Sequence, residues 1–287
     1  ADKLYDSLHN KLMPLPDSTR VYPAHGAGSA CGKNLSTELW STMGEQRKTN
    51  SALRAPDKAR FGELVTGGQP PAPGYFVYNA ILNRKGRDLL DESEMPRAMS
   101  YDEAREAVKG GAVLVDGRGP EEFALGHLKA AVNIGLEGRY AEFAGSVVTP
   151  EDDIILITDP ERELEGKNRL GRIGFDRVIG YLKDPYAVMF ENQRDVEVAS
   201  RLTTNALGER IADVPELQLI DVRNPGEAEA GMIANAVNIP VGQLPERLAE
   251  LDPRRPTVVY CAGGYRSSMA ASLLRKHGFD DVSDLLG

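Results

Sequence analysis

Short apolar runs alternate with longer stretches of mixed, helix-like character from about residue 95 to residue 287. The runs form two sets that follow one another in the same order: residues 112–116, 130–134 and 154–157, then residues 217–223, 234–240 and 257–260. Asp116 precedes Asn133 by 17 positions, and Asp221 precedes Asn238 by the same 17 positions. Continuous apolar strands separated by helices are typical of parallel sheets that are covered on both faces. The pattern therefore predicts two tandem α/β domains, each a parallel sheet with helices on both sides.

The N-terminal third of the chain lacks this repeat and carries weaker signals. Leu4, Leu8 and Leu12 recur at helical spacing and predict a short amphipathic helix. We also predict a strand at residues 20–22 and a polar helix over residues 36–50. Residues 67–74 are rich in proline and glycine and predict an extended connector. The predicted domain organisation is a first segment at residues 1–55, a connector at 56–95, and α/β domains at 96–190 and 200–287.

Composition narrows the classes of partner. The formal net charge is −9, from 34 basic against 43 acidic residues, which argues against nucleic acid or an anionic membrane. No apolar run approaches the roughly 18–20 residues that a membrane-spanning helix needs. The only two cysteines, Cys31 and Cys261, are 230 positions apart, so we expect no disulfide framework and a cytoplasmic location. The sequence leaves homo-oligomer formation open.

The strongest chemical signal lies after the last strand of the second repeat. Cys261 follows this strand, and a helix is predicted to begin at Ser267. Backbone N–H groups of a tight loop, the positive end of a helix and the Arg266 guanidinium all favour a thiolate. We predict Cys261 and Arg266 as catalytic residues. The residues that we expect to cradle the sulfur are Ala262, Gly263, Gly264, Tyr265 and Ser267.

The length of this loop separates two kinds of chemistry. Four residues lie between Cys261 and Arg266. Protein tyrosine phosphatases have a similar loop that is one residue longer, whereas the shorter loop resembles that of rhodaneses. The framework around Asp221, Glu227 and Asn238 also resembles rhodaneses, although Met232 stands where that family usually has a histidine. The resemblance implies a sulfurtransferase that carries sulfur as a persulfide on Cys261. Its small-molecule partners would be thiosulfate, low-molecular-weight persulfides, thiols and sulfite.

The first repeat resembles the same family in its framework but has no cysteine. After its third strand the sequence reads Thr158-Asp159-Pro160-Glu161-Arg162. We expect Asp159 at the position of the nucleophile, where a carboxylate cannot form a persulfide, and Pro160 removes an N–H donor from the loop. This copy is therefore predicted to be catalytically silent. His127 is predicted to be a hydrogen-bonded framework residue.

The N-terminal segment suggests a further domain. Residues 15–32, which include His25 and Cys31, resemble the C-terminal part of metallo-β-lactamase-fold proteins, a hydrolase-like superfamily, and in particular the branch of persulfide dioxygenases and glyoxalase II. That resemblance places His25 at a remnant of the metal pocket. The metal motif of the family is absent and the chain has only four histidines, so we predict no intact metal site here. Iron or zinc is expected only if a preceding segment completes the domain. Cys31 either lies near that pocket or is a small buried residue.

Three functions remain as hypotheses at this point. The first is a thiosulfate or persulfide sulfurtransferase, as the C-terminal part of a persulfide dioxygenase–rhodanese fusion in persulfide detoxification. The second is a cysteine-dependent phosphatase or arsenate reductase that uses the same thiolate. The third is a non-catalytic scaffold of tandem rhodanese-like domains. An unreactive Cys261 would favour the scaffold, and turnover of an aryl phosphate would favour the phosphatase.

Overall fold

The computed structural model describes residues 1–24, 37–67, 74–86 and 89–287. His25 and Cys31 lie outside the described residues, as does most of the proline- and glycine-rich connector. The chain divides into two compact units, Ala1–Gln69 and Pro70–Gly287. None of the helices in the described ranges is long and apolar enough to cross a membrane. The domain boundaries at residues 55, 95, 190 and 200 remain a prediction.

The first unit contains short helices and a two-stranded antiparallel sheet. Its elements are α1 (Asp2–Ser7), which continues as a π-helix (Leu8–Leu12), β1 (Arg20–Val21), β2 (Ser41–Thr42), α2 (Met43–Thr49) and α3 (Lys58–Thr66). The polar helix predicted over residues 36–50 begins only at Met43, because the two preceding residues pair with β1. The Thr42 hydroxyl accepts a hydrogen bond from the Glu45 amide at 3.2 Å and so caps the start of α2.

The second unit begins with α4 (Tyr75–Leu82) and then holds the first α/β copy. The elements of this copy are β3 (Ala98–Met99), α5 (Tyr101–Lys109), β4 (Val113–Asp116), α6 (Pro120–Leu125), β5 (His127–Leu128), β6 (Val132–Asn133), α7 (Tyr140–Val147), β7 (Ile154–Ile157), α8 (Glu163–Gly171), β8 (Val178–Leu182), α9 (Pro185–Glu191) and β9 (Val196–Glu197). Five strands form a parallel sheet in the order β3-β8-β7-β4-β6, and β5 pairs with β9 in a separate antiparallel ribbon. Strands β4 and β7 are buried along their whole length, as their apolar runs predict.

The second copy repeats this arrangement. Its elements are β10 (Ser200–Leu202), α10 (Thr204–Asp213), β11 (Gln218–Asp221), α11 (Pro225–Ala228), β12 (Val237–Asn238), α12 (Leu244–Arg247), β13 (Thr257–Tyr260), α13 (Tyr265–Lys276) and β14 (Val282–Leu285). The strands form a parallel sheet in the order β10-β14-β13-β11-β12. The prediction of two tandem α/β domains with parallel sheets is confirmed.

The equal spacing of aspartate and asparagine in the two copies has a structural cause. Strand β4 pairs with β6, so Asp116 lies beside Asn133, and β11 pairs with β12, so Asp221 lies beside Asn238. The Asn133 side-chain amide donates to the Asp116 carbonyl oxygen at 3.2 Å, and the Asn238 amide donates to the Asp221 carbonyl oxygen at 2.9 Å. The 17-residue interval is therefore the length of chain that joins two neighbouring parallel strands, and the same hydrogen bond connects these strands in each copy.

One hydrophobic core extends through both copies of the second unit. It joins Ile134 and Ala144 of the first copy to Met269 and Leu273 of the second, and all four are buried. Burial of apolar surface is the main favourable contribution to folding. The two copies are therefore stabilised by a shared core as well as by their own sheets.

Candidate active site

Cys261 directly follows β13, the middle strand of the parallel sheet in the second copy. Helix α13 begins at Tyr265, two residues earlier than the sequence predicts. Gly264 permits this early start, since its φ of +78° lies in the left-handed region, where a side chain would strain the backbone. Tyr265, Arg266 and Ser267 consequently form the first turn of α13 rather than part of an extended loop.

The outer side of the loop is open to solvent. Ala262 and Gly263 are exposed, whereas Cys261 is half-buried. A Cβ on Gly263 would meet no atom of the described residues within 4 Å. The loop lies at the carboxyl ends of the strands, where open α/β sheets bind their ligands. A small molecule can therefore approach the thiol while protein surrounds its other sides.

Ser267 lies on the inner side of the cysteine. The Cys261 Sγ donates to the Ser267 Oγ at 3.5 Å, and that hydroxyl donates to the Asp284 Oδ2 at 3.3 Å. Arg201 forms an ion pair with Asp284 at 3.1 Å and also donates to the Gly264 carbonyl oxygen at 3.3 Å. A continuous series of polar contacts thus leads from the thiol into the interior and back to the end of the loop.

The sequence analysis missed both Asp284 and Arg201. They lie 83 positions apart and become neighbours because β10 pairs with β14 in a register that aligns them. Burial holds the pKa of Asp284 above its usual range, and hydrogen bonds from Arg201 and Ser267 oppose this shift. A buried carboxylate is stable only with such partners. The sequence signal for Asp284 was weak, because Asp280 and Asp281 lie close to it in the chain.

Arg266, the predicted cation of the site, is held by a carboxylate. Its Nη1 and Nη2 donate to the two carboxylate oxygens of Glu227 at 2.7 and 2.8 Å. These bonds lower the pKa of Glu227, and they are also the main reason why the pKa of Arg266 is raised. The Cys261 side chain contributes to the same rise, so the guanidinium interacts with both groups. Arg266 is therefore fixed in place beside the thiol rather than free in solvent.

The side chain of Tyr265 points away from the loop and contacts the first copy. Its hydroxyl donates to the Gly135 carbonyl oxygen at 2.5 Å, and its ring packs against Phe143 with centroids 5.5 Å apart. Burial raises the pKa of Tyr265. Only the backbone of this residue can take part in the predicted cradle.

The strand registers identify the residue of the first copy that is equivalent to the cysteine. In the second copy Asp221 pairs with Tyr260, and Cys261 is the residue after Tyr260. In the first copy Asp116 pairs with Ile157. The next residue of the first copy is Thr158, so Thr158 and not Asp159 occupies the nucleophile position. The prediction of Asp159 was therefore wrong by one residue.

The loop of the first copy keeps the backbone bend of the second. Counting from Thr158, Glu161 corresponds to Gly264, and its φ of +70° is close to the +78° of that glycine. Glu163 corresponds to Arg266, so an acid replaces the cation. Thr158 is buried, and its hydroxyl has no hydrogen-bond partner among the described residues. The left-handed bend of the loop is preserved, but its nucleophile and its positive charge are not.

Comparison with known proteins agrees with this geometry. The rhodanese-like domain family matches residues 100–184 and 203–287, which together are more than half of the chain. The chain belongs to the rhodanese-like family. A sulfurtransferase of Allochromatium vinosum is 33% identical over 90 residues, which are 31% of this chain and 84% of that protein. YtwF of Bacillus subtilis (strain 168), also named as a sulfurtransferase, is 40% identical over 82 residues, 29% of this chain and 80% of that protein. At the level of the family, the rhodanese-like copies are those of a sulfurtransferase.

A solved structure extends the likeness beyond the rhodanese-like copies. It is that of a metallo-beta-lactamase from Staphylococcus aureus subsp. aureus COL, with a TM-score of 0.54 and 27% identity. The match covers 63% of this chain, more than twice the length of Ala1–Gln69, so it also includes part of the second unit. This chain spans about half (49%) of that solved chain. The metallo-beta-lactamase neighbour fits the N-terminal portion that the sequence analysis assigned to this fold.

His127 of the first rhodanese-like copy has a framework position. Its Nδ1 lies 2.9 Å from the Phe123 carbonyl oxygen, and the two rings are stacked with centroids 3.7 Å apart. Burial lowers the pKa of His127, which favours its neutral form. The contacts agree with the structural role expected for this histidine.

Within the described ranges, no three His, Cys, Asp or Glu side chains lie together in a way that could hold a metal ion. His25, the predicted remnant of a metal pocket, falls outside those ranges. The described residues therefore do not fit an iron or zinc ion.

Proposed function

We propose that Cys261 of the second rhodanese-like copy accepts a sulfur atom, holds it as a persulfide and transfers it to a nucleophile. The contrast between the two copies carries this proposal. Two loops with a similar left-handed bend follow equivalent strands, and only one combines a half-exposed cysteine with an arginine in the first turn of the helix. The family-level similarity to sulfurtransferases supports it further.

The reaction balances with thiosulfate as donor. The Cys261 thiolate attacks the outer sulfur of thiosulfate, an S–S bond forms, and the bond between the two donor sulfurs breaks, with its electron pair leaving on sulfite. A thiolate acceptor then attacks the outer sulfur of the persulfide, and the Cys261 thiolate is the leaving group. The acceptor leaves as a persulfide, and the enzyme returns to its starting state without any external oxidant or reductant.

The residues around the thiol have separate roles in this proposal. Arg266, fixed by Glu227, supplies positive charge next to the anionic donor and the developing persulfide anion. The start of α13 directs its dipole to the same place. Ala262, Gly263 and Gly264 supply the backbone that surrounds the outer sulfur, and the exposure of the first two leaves room for it.

Mass spectrometry of the intact protein tests the proposal directly. Treatment with thiosulfate should add one sulfur atom to the wild-type chain, and a subsequent thiol should remove it. Cys261→Ser should gain nothing, whereas Cys31→Ser, the matched control at the other cysteine, should gain the sulfur normally. An unchanged mass of the wild type, or a gain that persists in Cys261→Ser, would contradict the assignment.

For the whole protein we propose a fusion in which a metallo-β-lactamase-fold persulfide dioxygenase precedes the two rhodanese-like copies, in the cytoplasm. The match to the metallo-beta-lactamase from Staphylococcus aureus and the segment around His25 support this proposal. Iron, or zinc, would be bound by a completed domain. Oxygen consumption by the natural full-length protein with a low-molecular-weight persulfide, lost on removal of the metal, would be the expected behaviour. A full-length protein that binds no metal would refute the dioxygenase.

A further inference from the structure

One face of helix α13 lies against the first rhodanese-like copy. Tyr265, Ser268 and Ser272 follow one another at intervals of three and four residues, so their side chains share this face. The Ser268 Oγ donates to the Asn133 Oδ1 at 2.7 Å, and the Ser272 Oγ accepts from the backbone N–H of Asn133 at 2.9 Å. With the bond from Tyr265 to Gly135, the first copy binds the helix at three points over about two turns.

The segment that receives Tyr265 is itself held by the silent copy. Arg169 of α8 donates through Nη1 to the Leu136 carbonyl oxygen and through Nη2 to the Gly138 carbonyl oxygen at 2.7 Å. The Tyr265 ring lies so close to Gly138 that a Cβ there would be 2.9 Å from the ring Cε2. Residues 135–138 thus form a binding site for Tyr265, which we call the seat: the Gly135 carbonyl oxygen accepts from the hydroxyl, and Gly138, which has no side chain, leaves room for the ring.

The other side of the same first turn carries the chemistry. Ser267 follows the anchored tyrosine by two residues and contacts Cys261, and Arg266 follows it by one and binds Glu227. Successive residues on a helix are related by a fixed rotation. A movement of Tyr265 in its seat therefore turns Arg266 and Ser267 relative to the thiol.

We propose that Tyr265 is a positioning residue and that the silent copy provides its seat, so that both copies form one sulfur-transfer unit. The inference rests on the proposed function of Cys261. It assigns a role to the copy that has lost its own nucleophile: the Gly135–Gly138 seat fixes the rotation of the first turn of α13. Tyr265 acts through this turn and makes no contact with the transferred sulfur.

Gly138→Ala tests the seat from the side of the silent copy. Gly138 is exposed, so the added methyl group disturbs the tyrosine ring without entering the core. With thiosulfate as donor and a thiol as acceptor, kcat should fall about threefold to tenfold while KM changes by less than about twofold, as expected for lost alignment of the reacting groups. Tyr265→Phe, which keeps the ring and removes the hydroxyl, should give a smaller fall in kcat.

A double-mutant cycle separates positioning from general destabilisation. In a Tyr265→Ala background there is no ring for the new methyl group to meet, so Gly138→Ala should change kcat by less than about twofold. Gly208→Ala is the matched control, because a Cβ there meets no atom of the described residues within 4 Å, and it should leave kcat unchanged. Thermal unfolding of each variant reports on folding independently.

The outcomes distinguish this inference from the function on which it rests. A wild type that gains no sulfur from thiosulfate ends the proposed function. A wild type that gains sulfur, together with a Gly138→Ala variant of unchanged kcat, ends the positioning proposal alone. Equal effects of Gly138→Ala in the presence and absence of the tyrosine ring would also overturn it, since the methyl group would then act by another route.

Discussion

Ser267→Ala removes the one hydroxyl that connects the thiol to the buried ion pair. Ser267 is fully buried, its Oγ accepts from the Cys261 Sγ at 3.5 Å, and it donates to the Asp284 Oδ2 at 3.3 Å. The variant leaves Asp284 with its ion pair to Arg201 but without its neutral donor. The thiol at the same time loses its partner on the inner side of the loop.

The size of both effects follows from these contacts. A hydrogen bond to a charged group contributes about 1.5–3 kcal/mol, and the lower end applies here because the bond is 3.3 Å long and the same hydroxyl also lies 3.4 Å from the Leu285 carbonyl oxygen. We expect the free energy of unfolding to fall by about 1–2 kcal/mol, which corresponds to roughly 3–6 °C for a unit of this size. When Cys261 is ionised, the Ser267 hydroxyl can turn its proton from Asp284 towards the thiolate, and the loss of about 1 kcal/mol of this stabilisation in the transition state would slow persulfide formation about fivefold.

Single-turnover measurements can separate the loss of rate from the loss of stability. Each protein is mixed with thiosulfate, the reaction is quenched at intervals, and the fraction of persulfide is measured by mass spectrometry of the intact protein. Ser283→Ala is the matched control: Ser283 is also buried in the second copy, and its Oγ donates to the Ser200 Oγ at 2.8 Å, so a similar stability loss is expected without loss of rate. If both variants form the persulfide equally fast, the assigned role of Ser267 is refuted.

Three further variants probe the two loops. Glu227→Gln should lower the free energy of unfolding by less than about 1 kcal/mol at pH 7, because the ion pair with Arg266 is partly exposed. Because the pKa of Glu227 is lowered in the folded state, the ion pair stabilises the protein at pH values above the usual glutamate pKa, and this stabilisation is lost as the pH falls through the lowered pKa. The melting temperatures of the wild type and Glu227→Gln should therefore converge in acid, and a difference that grows in acid would refute this sign. Thr158→Cys in a Cys261→Ser background should gain no sulfur from thiosulfate, because position 158 is buried and an acid stands in place of the arginine; a gain seen by mass spectrometry would contradict this. Glu161→Gly should raise the free energy of unfolding by about 0.5–1 kcal/mol in denaturant melts, because a left-handed φ costs a glutamate about 1–2 kcal/mol, partly offset by the greater unfolded-state entropy of glycine; a lowered midpoint would refute it.

The sequence reveals those parts of the site that depend on local spacing. The interval from Asp221 to Asn238 can be recognised in the sequence because a short connection joins the two neighbouring strands and the Asn238 side-chain amide binds the Asp221 carbonyl oxygen. Arg201 and Asp284 are hidden because only the long-range register of β10 on β14 brings them together. The seat of Tyr265 is hidden for the same reason, since it joins two copies that the sequence presents as independent repeats.

The loop of the first copy keeps a strained conformation although it contains no cysteine. Glu161 adopts the left-handed φ that Gly264 adopts without strain, and in both copies a helix begins within two residues of this bend. In the first copy that helix is α8, which carries Arg169 to the Gly138 carbonyl oxygen and so holds the seat of Tyr265. A loop that relaxed at Glu161 would shift the start of α8 and release the seat. The positioning proposal explains this constraint, because the backbone of the loop then supports the seat of Tyr265 although the loop itself has no cysteine.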